Sequence, residues 1–203
     1  MNSDEVLEGW AERSGEYSPE YYAYYGPDET SDLIRDRIDA VVGPDAAVLE
    51  LGCSSGRHLA HLHDGGYEDL HGIEINGDAF DVMADSYPDL AAAGTFHHGA
   101  IEDVVREFGD DAFDAVYSVE TLQHVHPDNE WVFEELARIT ADLLVTVENE
   151  GGDDEEVDVN YVNDDFPLFY RDWRRVFTAL GLDEIDAVPL ERDTFRAFRA
   201  TER

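Results

Sequence analysis

The sequence predicts an α/β fold built on a parallel sheet, and three observations carry that prediction. Short apolar runs, "AVLEL", "LHGIEI", "TFHH", "FDAVYSV" and "LLVTV", recur along the chain. Each borders a stretch whose apolar residues repeat at helical spacing, the alternation that parallel strands and their crossover helices require. Glycine or proline then falls just past the helical stretches, at Gly43-Pro44, Pro88, Gly109 and Gly181, where a left-handed cap or a missing N–H ends a helix.

In chain order, residues 1–45 are expected to form a helical cap. Within them "YSPEYYAYYGPDETSD" places five tyrosines ahead of the first strand. Core-facing helical stripes follow at Ile34, Ile38, Val41 and Val42, at Phe80, Met83, Ala84 and Tyr87, at Ile101, Val104, Val105 and Phe108, and at Trp173, Val176, Phe177 and Leu180. Near the C-terminus "DEIDAV" and "TFRAFRA", separated by Pro189, read as two strands closing the sheet with an antiparallel edge. The segment "ENEGGDDEEVDVNYVNDD", Glu148 to Asp165, is too polar for a core element and reads as a solvated loop. It lacks the ordered oxygen ligands of an EF-hand, so no metal site is expected.

At 203 residues the chain suits one domain with a sizeable core. Its 49 acidic residues face 13 basic ones, for a net charge of −36, and all 13 are arginine. Such a chain repels itself in dilute buffer, whereas at molar salt the screening length falls to about 3 Å. The composition resembles that of proteins from salt-accumulating halophilic archaea, and it turns most carboxylates into hydrated surface rather than active-site candidates. It also lacks the basic stripe of a nucleic-acid binder. No apolar run approaches membrane-spanning length, the start "MNSDEVLEGW" has no signal-peptide pattern, and a single cysteine, Cys53, excludes an intrachain disulfide. A soluble cytoplasmic protein is expected, with neither nucleic acid nor membrane as partner.

The chemistry lies in "VLELGCSSGRHL", Val48 to Leu59, a strand, a glycine turn and a helix start. Such a turn aims backbone N–H groups at a ligand that approaches closely. A P-loop needs G-x-x-x-x-G-K-[ST], which is absent. The dinucleotide fingerprint needs glycines at 52, 54 and 57, where this chain has Gly52, Ser54 and Arg57. Arg57 reads as a helix-start or surface residue, and His58, His61 and His63 as local helix surface. In "GIEIN", Glu74 ends the next strand 22 residues after Gly52, the distance at which a carboxylate grips ribose hydroxyls.

The pattern E-x-G-x-S-x-G, Glu50 to Gly56, resembles the first motif of the class I S-adenosylmethionine-dependent methyltransferases, [DE]-x-G-x-G-x-G, with Ser54 at the middle glycine. "HHGAIEDV" is similar to the family's adenine-contacting segment, although Ala100 stands where an aspartate is usual, leaving Ile101 and either Glu102 or Asp103 as substitutes. "FDAVYSVETLQHVHPDNEWVFEELARI", Phe113 to Ile139, resembles the family's fourth strand, its loop and the next helix. The resemblance is strong from Ala46 to Val147 and looser beyond.

It implies a doubly wound Rossmann-like sheet of seven strands, order 3-2-1-4-5-7-6, with strand 7 antiparallel. The cofactor-binding core would span residues 46–147, and residues 148–203 would form the acidic loop and the substrate-side half. It implies S-adenosyl-L-methionine as cofactor, held by Glu50, Gly52, Cys53, Ser54, Gly56, Glu74, Ile75, Ile101, Glu102 and Ser118. The methyl would go to a small-molecule acceptor beside Tyr21, Tyr25, Tyr117 and Glu120, with His124 as acid–base candidate. The alternative is a non-catalytic cofactor-binding regulatory protein, motivated by Ser54 and Ala100.

Overall fold

The computed structural model describes residues 1–151, 159–162 and 166–201. The chain begins with α1 (Ser3–Ala11), α2 (Pro19–Tyr25) and α3 (Glu29–Val41). Each has a side-chain N-cap, from Asn2, Ser18 and Asp28, which satisfies amides that a helix start leaves open. The alternating region follows as β1 (Val48–Leu51), α4 (Arg57–Asp64), β2 (Leu70–Glu74), α5 (Asp78–Ser86), α6 (Pro88–Ala93), β3 (Thr95–His98), α7 (Ile101–Val104), β4 (Phe113–Val119), α8 (Trp131–Ile139) and β5 (Thr140–Glu148). The last part is β6 (Val159–Val162), β7 (Phe166–Phe169), α9 (Trp173–Ala179), β8 (Leu182–Pro189) and β9 (Thr194–Ala200).

Seven strands form one sheet in the order β3-β2-β1-β4-β5-β9-β8. Pairs among β1 to β5 are parallel, whereas β9 runs antiparallel to both β5 and β8. Counted within the sheet alone, this is the expected order 3-2-1-4-5-7-6. The strands are apolar on both faces because helices cover both. Leu49, Leu51, Val116, Leu144 and Phe198 face a layer with Trp173 and Phe177 of α9 and Leu136 of α8. Val48, Ala115, Tyr117, Val145 and Phe195 face the opposite layer with Ile34 and Ile38 of α3 and Leu59 of α4. Glycine is required at position 72, where a Cβ would lie 2.6 Å from the Cys53 sulfur packed against it.

The acidic segment departs from expectation at both ends. Glu148 belongs to β5, fully buried, because hydrogen-bond donors surround it. Further on, β6 and β7 pair as an antiparallel hairpin outside the main sheet, with Phe166, Leu168 and Phe169 buried. Residues 152–158 and 163–165, where the solvated loop was expected, otherwise lie outside the described residues. Pro189 ends β8 rather than separating two strands, which an edge strand tolerates because its outward N–H needs no partner. No helix among the described residues is long and apolar enough to cross a membrane.

Candidate active site

The carboxyl ends of β1, β2 and β4 open into a cavity that the N-terminal helices cover, the place where open α/β sheets bind ligands. After β1 the chain turns through Gly52 (φ 65°), Ser54 (φ 47°) and Gly56 (φ 80°). Gly52 admits no side chain, since a Cβ there would meet Thr121 Oγ1 at 2.5 Å. The turn is pinned from β2, where Glu74 accepts hydrogen bonds from the Ser54 amide on Oε2 and the Asn76 amide on Oε1, both at 2.7 Å. Burial raises the Glu74 carboxyl, against the opposing effect of those amides.

Glu50 is 2% exposed and lines the same cavity. Its Oε2 has no hydrogen-bond partner among the described residues. Burial pushes its pKa up to about 8, with the Tyr117 hydroxyl and the Arg57 guanidinium acting in the other direction. A buried acceptor without a partner is costly, so this oxygen is suited to a cationic ligand group. Ile75, Ile101, Glu102 and Val125 line the cavity beyond β2. Ala100 leaves the usual aspartate position without a carboxylate. Of its two possible substitutes, Glu102 lines the cavity and accepts a hydrogen bond from Asn129 Nδ2 at 3.2 Å, whereas Asp103 is exposed.

The other side of the cavity is assembled from distant segments. Trp10, Arg13, Tyr17, Tyr22, Glu120, Gln123, His124, Asn149, Leu168, Arg192 and Asp193 line it. The Trp10 ring lies 4.6 Å from the His124 ring and 4.6 Å from Phe166. His124 Nδ1 donates to the Pro167 carbonyl at 3.0 Å, and burial lowers its pKa to about 4, so the ring is neutral. Asp193, in the turn between β8 and β9, is raised to about 7 by burial and by Glu120, with Arg192 opposing. Among the described residues four non-glycines have positive φ, and three of them, Tyr17, Ser54 and Glu120, line this cavity. Backbone strain of this kind concentrates at functional sites.

Of the expected residues, Glu50, Gly52, Ser54, Glu74, Ile75, Ile101, Glu102, Glu120 and His124 share the cavity, and six do not. Cys53 is turned under the loop, its thiol raised by burial. Gly56 backs onto Met83 and Leu90. Ser118 is buried and donates to Glu148. Tyr117 points into the core layer between the sheet and α4, where its hydroxyl faces Glu50. Tyr21 and Tyr25 pack their rings against each other, centroids 4.9 Å apart, away from the cavity, because residues four apart share a helix face and this face turns outward. Tyr17 and Tyr22 take their place.

Two readings of α4 are also corrected. Arg57 opens α4, as the helix-start reading has it, but its side chain is not on the surface: it lines the cavity, pairs with Asp28 at 2.9 Å and lies 5.1 Å over the Tyr22 ring. His58 is 4% exposed, hydrogen-bonded to Ser31 Oγ at 2.7 Å, and lowered to about 3 chiefly by burial.

Residues 48–142 match the family model described as a methyltransferase domain. An O-methyltransferase of Penicillium expansum, cnsE, is 28% identical over 103 residues. That match spans 48% of this chain and 37% of the relative, so the chain corresponds to well under half of that protein. Among solved structures, the Burkholderia thailandensis 1,6-didemethyltoxoflavin-N1-methyltransferase superposes with a TM-score of 0.68 at 16% identity, over 86% of this chain and 79% of that one. Geranyl diphosphate C-methyltransferase of Streptomyces coelicolor gives 0.70 at 13% identity, over 85% and 75%. The match over residues 48–142, the sheet order and the glycine turn liken the chain to the class I S-adenosylmethionine-dependent methyltransferases, a family whose cofactor is S-adenosylmethionine.

Proposed function

We propose that this chain transfers a methyl group from S-adenosylmethionine to a small-molecule acceptor. The observation that carries the reading is the pairing, in one cavity, of Glu74 at the end of β2 with the unpartnered buried oxygen of Glu50. The cofactor, when bound, supplies an already activated methyl. Glu74 has free lone pairs for ribose hydroxyls beyond the two it gives to backbone amides. Ile75, Ile101 and Val125 offer an apolar slot for the adenine, with Glu102 beside it in place of the usual aspartate. Glu50 would hold the amino end of the methionine moiety, and Arg57 its carboxylate.

On the acceptor side, Trp10, Tyr17 and His124 present rings to a flat molecule. An acceptor O–H or N–H must give up its proton as the new bond forms. His124, held near pKa 4, is a poor base at neutral pH, whereas Asp193, raised to about 7, is poised for the task. The acidic, lysine-free surface supports a protein working in a salt-rich cytoplasm without nucleic-acid partners.

The test is calorimetric titration with S-adenosylmethionine, and separately with NAD, in molar potassium chloride, followed by transfer of labelled methyl to an acceptor panel. Binding of the sulfonium cofactor alone supports the reading, and binding of neither overturns it. Tight binding without transfer to any acceptor would favour the regulatory alternative. A melting temperature that does not rise with salt would remove the halophilic reading.

A further inference from the structure

The wall shared by the two halves of the cavity is the turn Val119–Val125, whose centre is the single 3₁₀ turn Leu122–His124. Opposite charges hold it from opposite ends. At its start, Glu148 accepts hydrogen bonds on Oε1 from Ser118 Oγ at 2.7 Å, the Thr121 amide at 3.2 Å and the Leu122 amide at 3.0 Å. Its Oε2 accepts from the Gln123 amide at 3.2 Å. At the finish, Arg171 Nη2 donates to the Val125 carbonyl at 2.7 Å, while its other nitrogens donate to Phe169 O at 3.2 Å and Glu130 Oε1 at 3.0 Å. Negative charge at the amide end and positive charge at the carbonyl end match the dipole of the turn. Both side chains are buried, at 0% exposure for Glu148 and 7% for the Arg171 side chain, and neither lines the cavity.

We propose that Glu148 and Arg171 are positioning residues that grip this turn from its two ends and so fix the wall that cofactor and acceptor both meet. The role rests on the methyltransferase reading. Thr121, whose side chain closes over Gly52, and the cavity residues Gln123 and His124 all ride on the clamped turn. Burial raises Glu148 to about 7, with Ser118 and the turn amides opposing. The charged or titratable groups on the surrounding elements are Arg171 beyond β7, Glu120 in the turn, and Asp193 beside Thr194, the β9 register partner of Glu148.

Glu148→Gln removes the buried charge at pH 8 but turns an NH2 group toward an amide whose hydrogen bond the carboxylate accepted, so some loss of melting temperature is expected. The turn amides themselves are the readout that separates positioning from mere support. With S-adenosylhomocysteine as the probe in molar potassium chloride at pH 8, well below the variant's melting temperature, its affinity is expected to fall about 3- to 30-fold. The amide proton resonances of Thr121, Leu122 and Gln123 should titrate together near pH 7 in the wild type and cease to do so in the variant. Arg171→Met should weaken the probe similarly, and the milder Ser118→Ala should do so by about twofold. Unchanged affinity in a folded Glu148→Gln protein, or turn amides that do not titrate together near pH 7 in the wild type, would overturn the proposal. A wild type that does not bind the probe would defeat the functional reading instead, and the amide titration would still decide whether the clamp exists.

Discussion

The two halves of the cavity are built by different means. Apart from Val125, the groups in the cofactor half come from the ends of β1, β2 and β3 and the turns and helix starts that follow them, between Glu50 and Glu102. The acceptor half joins α1 and its following turn, the turn after β4, Asn149, Leu168 of β7 and the β8–β9 turn. The first half is a consequence of local chain geometry repeated along a parallel sheet. The second exists only once the tertiary fold brings distant segments together, so its side chains are free to differ without disturbing the cofactor turn.

The largest effect expected from this division is on Glu74. Glu74→Ala removes charge-assisted hydrogen bonds worth about 1.5–3 kcal/mol to the ribose and also releases the Ser54 amide, so S-adenosylhomocysteine should bind roughly 10- to 100-fold more weakly by calorimetry. Asp193→Asn, on the acceptor side, should leave that affinity within about twofold. Equal losses in the two variants would show that the halves are not separable.

The same division explains what could be read from the sequence. Glu50, Gly52 and Glu74 stand at fixed offsets in a seven-residue turn and the next strand end, so periodicity and spacing locate them. The alternation gives a parallel sheet, and its strand order is implied by the resemblance of that turn to the methyltransferase motif. Tyr17, Tyr22, Arg13 and Asp193 carry no such offset. Choosing Tyr21 and Tyr25 placed the right segment over the site but on the wrong helix face, which α2's packing decides. Glu148 looked like the first residue of an acidic loop, because nothing local announces that Ser118 and three amides will converge on it. The helix start at Arg57 was legible, but its place in the cavity was not, because its partners, Asp28 and Tyr22, come from the N-terminal cap.

A smaller effect concerns pH. Glu50 is raised to about 8 and Glu148 and Asp193 to about 7. A raised carboxyl favours the folded state when protonated, so its contribution is complete below about 4.5 and is lost as pH rises through 7 to 8. His58 and His124, lowered to about 3 and about 4, act oppositely: their contribution is complete above about 6.5 and is lost as pH falls. Between pH 6.5 and 8 only the carboxyls of this set change, and stability should fall by on the order of 2 kcal/mol, measured by urea unfolding in molar potassium chloride. Below 6.5 the histidines flatten the curve. Glu50→Gln should remove much of the slope, and stability that rises toward pH 8 would contradict the burial that raises Glu50.

The smallest effect is at Ser54, where the motif departs from the family's glycine. Its φ of 47° lies in the left-handed region, which costs a non-glycine residue roughly 1–2 kcal/mol. Glycine removes that strain but gains conformational freedom in the unfolded chain, worth about 0.5–1 kcal/mol in the opposite direction. Ser54→Gly should therefore shift stability by less than about 1 kcal/mol. The contact that matters to the cofactor turn is the Ser54 amide donating to Glu74 at 2.7 Å, and a backbone donor is kept whichever residue stands there. Affinity for S-adenosylhomocysteine should thus stay within about twofold of the wild type. A tenfold tightening would instead mean that the serine side chain narrows the cavity, making position 54 a restriction on the ligand rather than a neutral replacement in the turn.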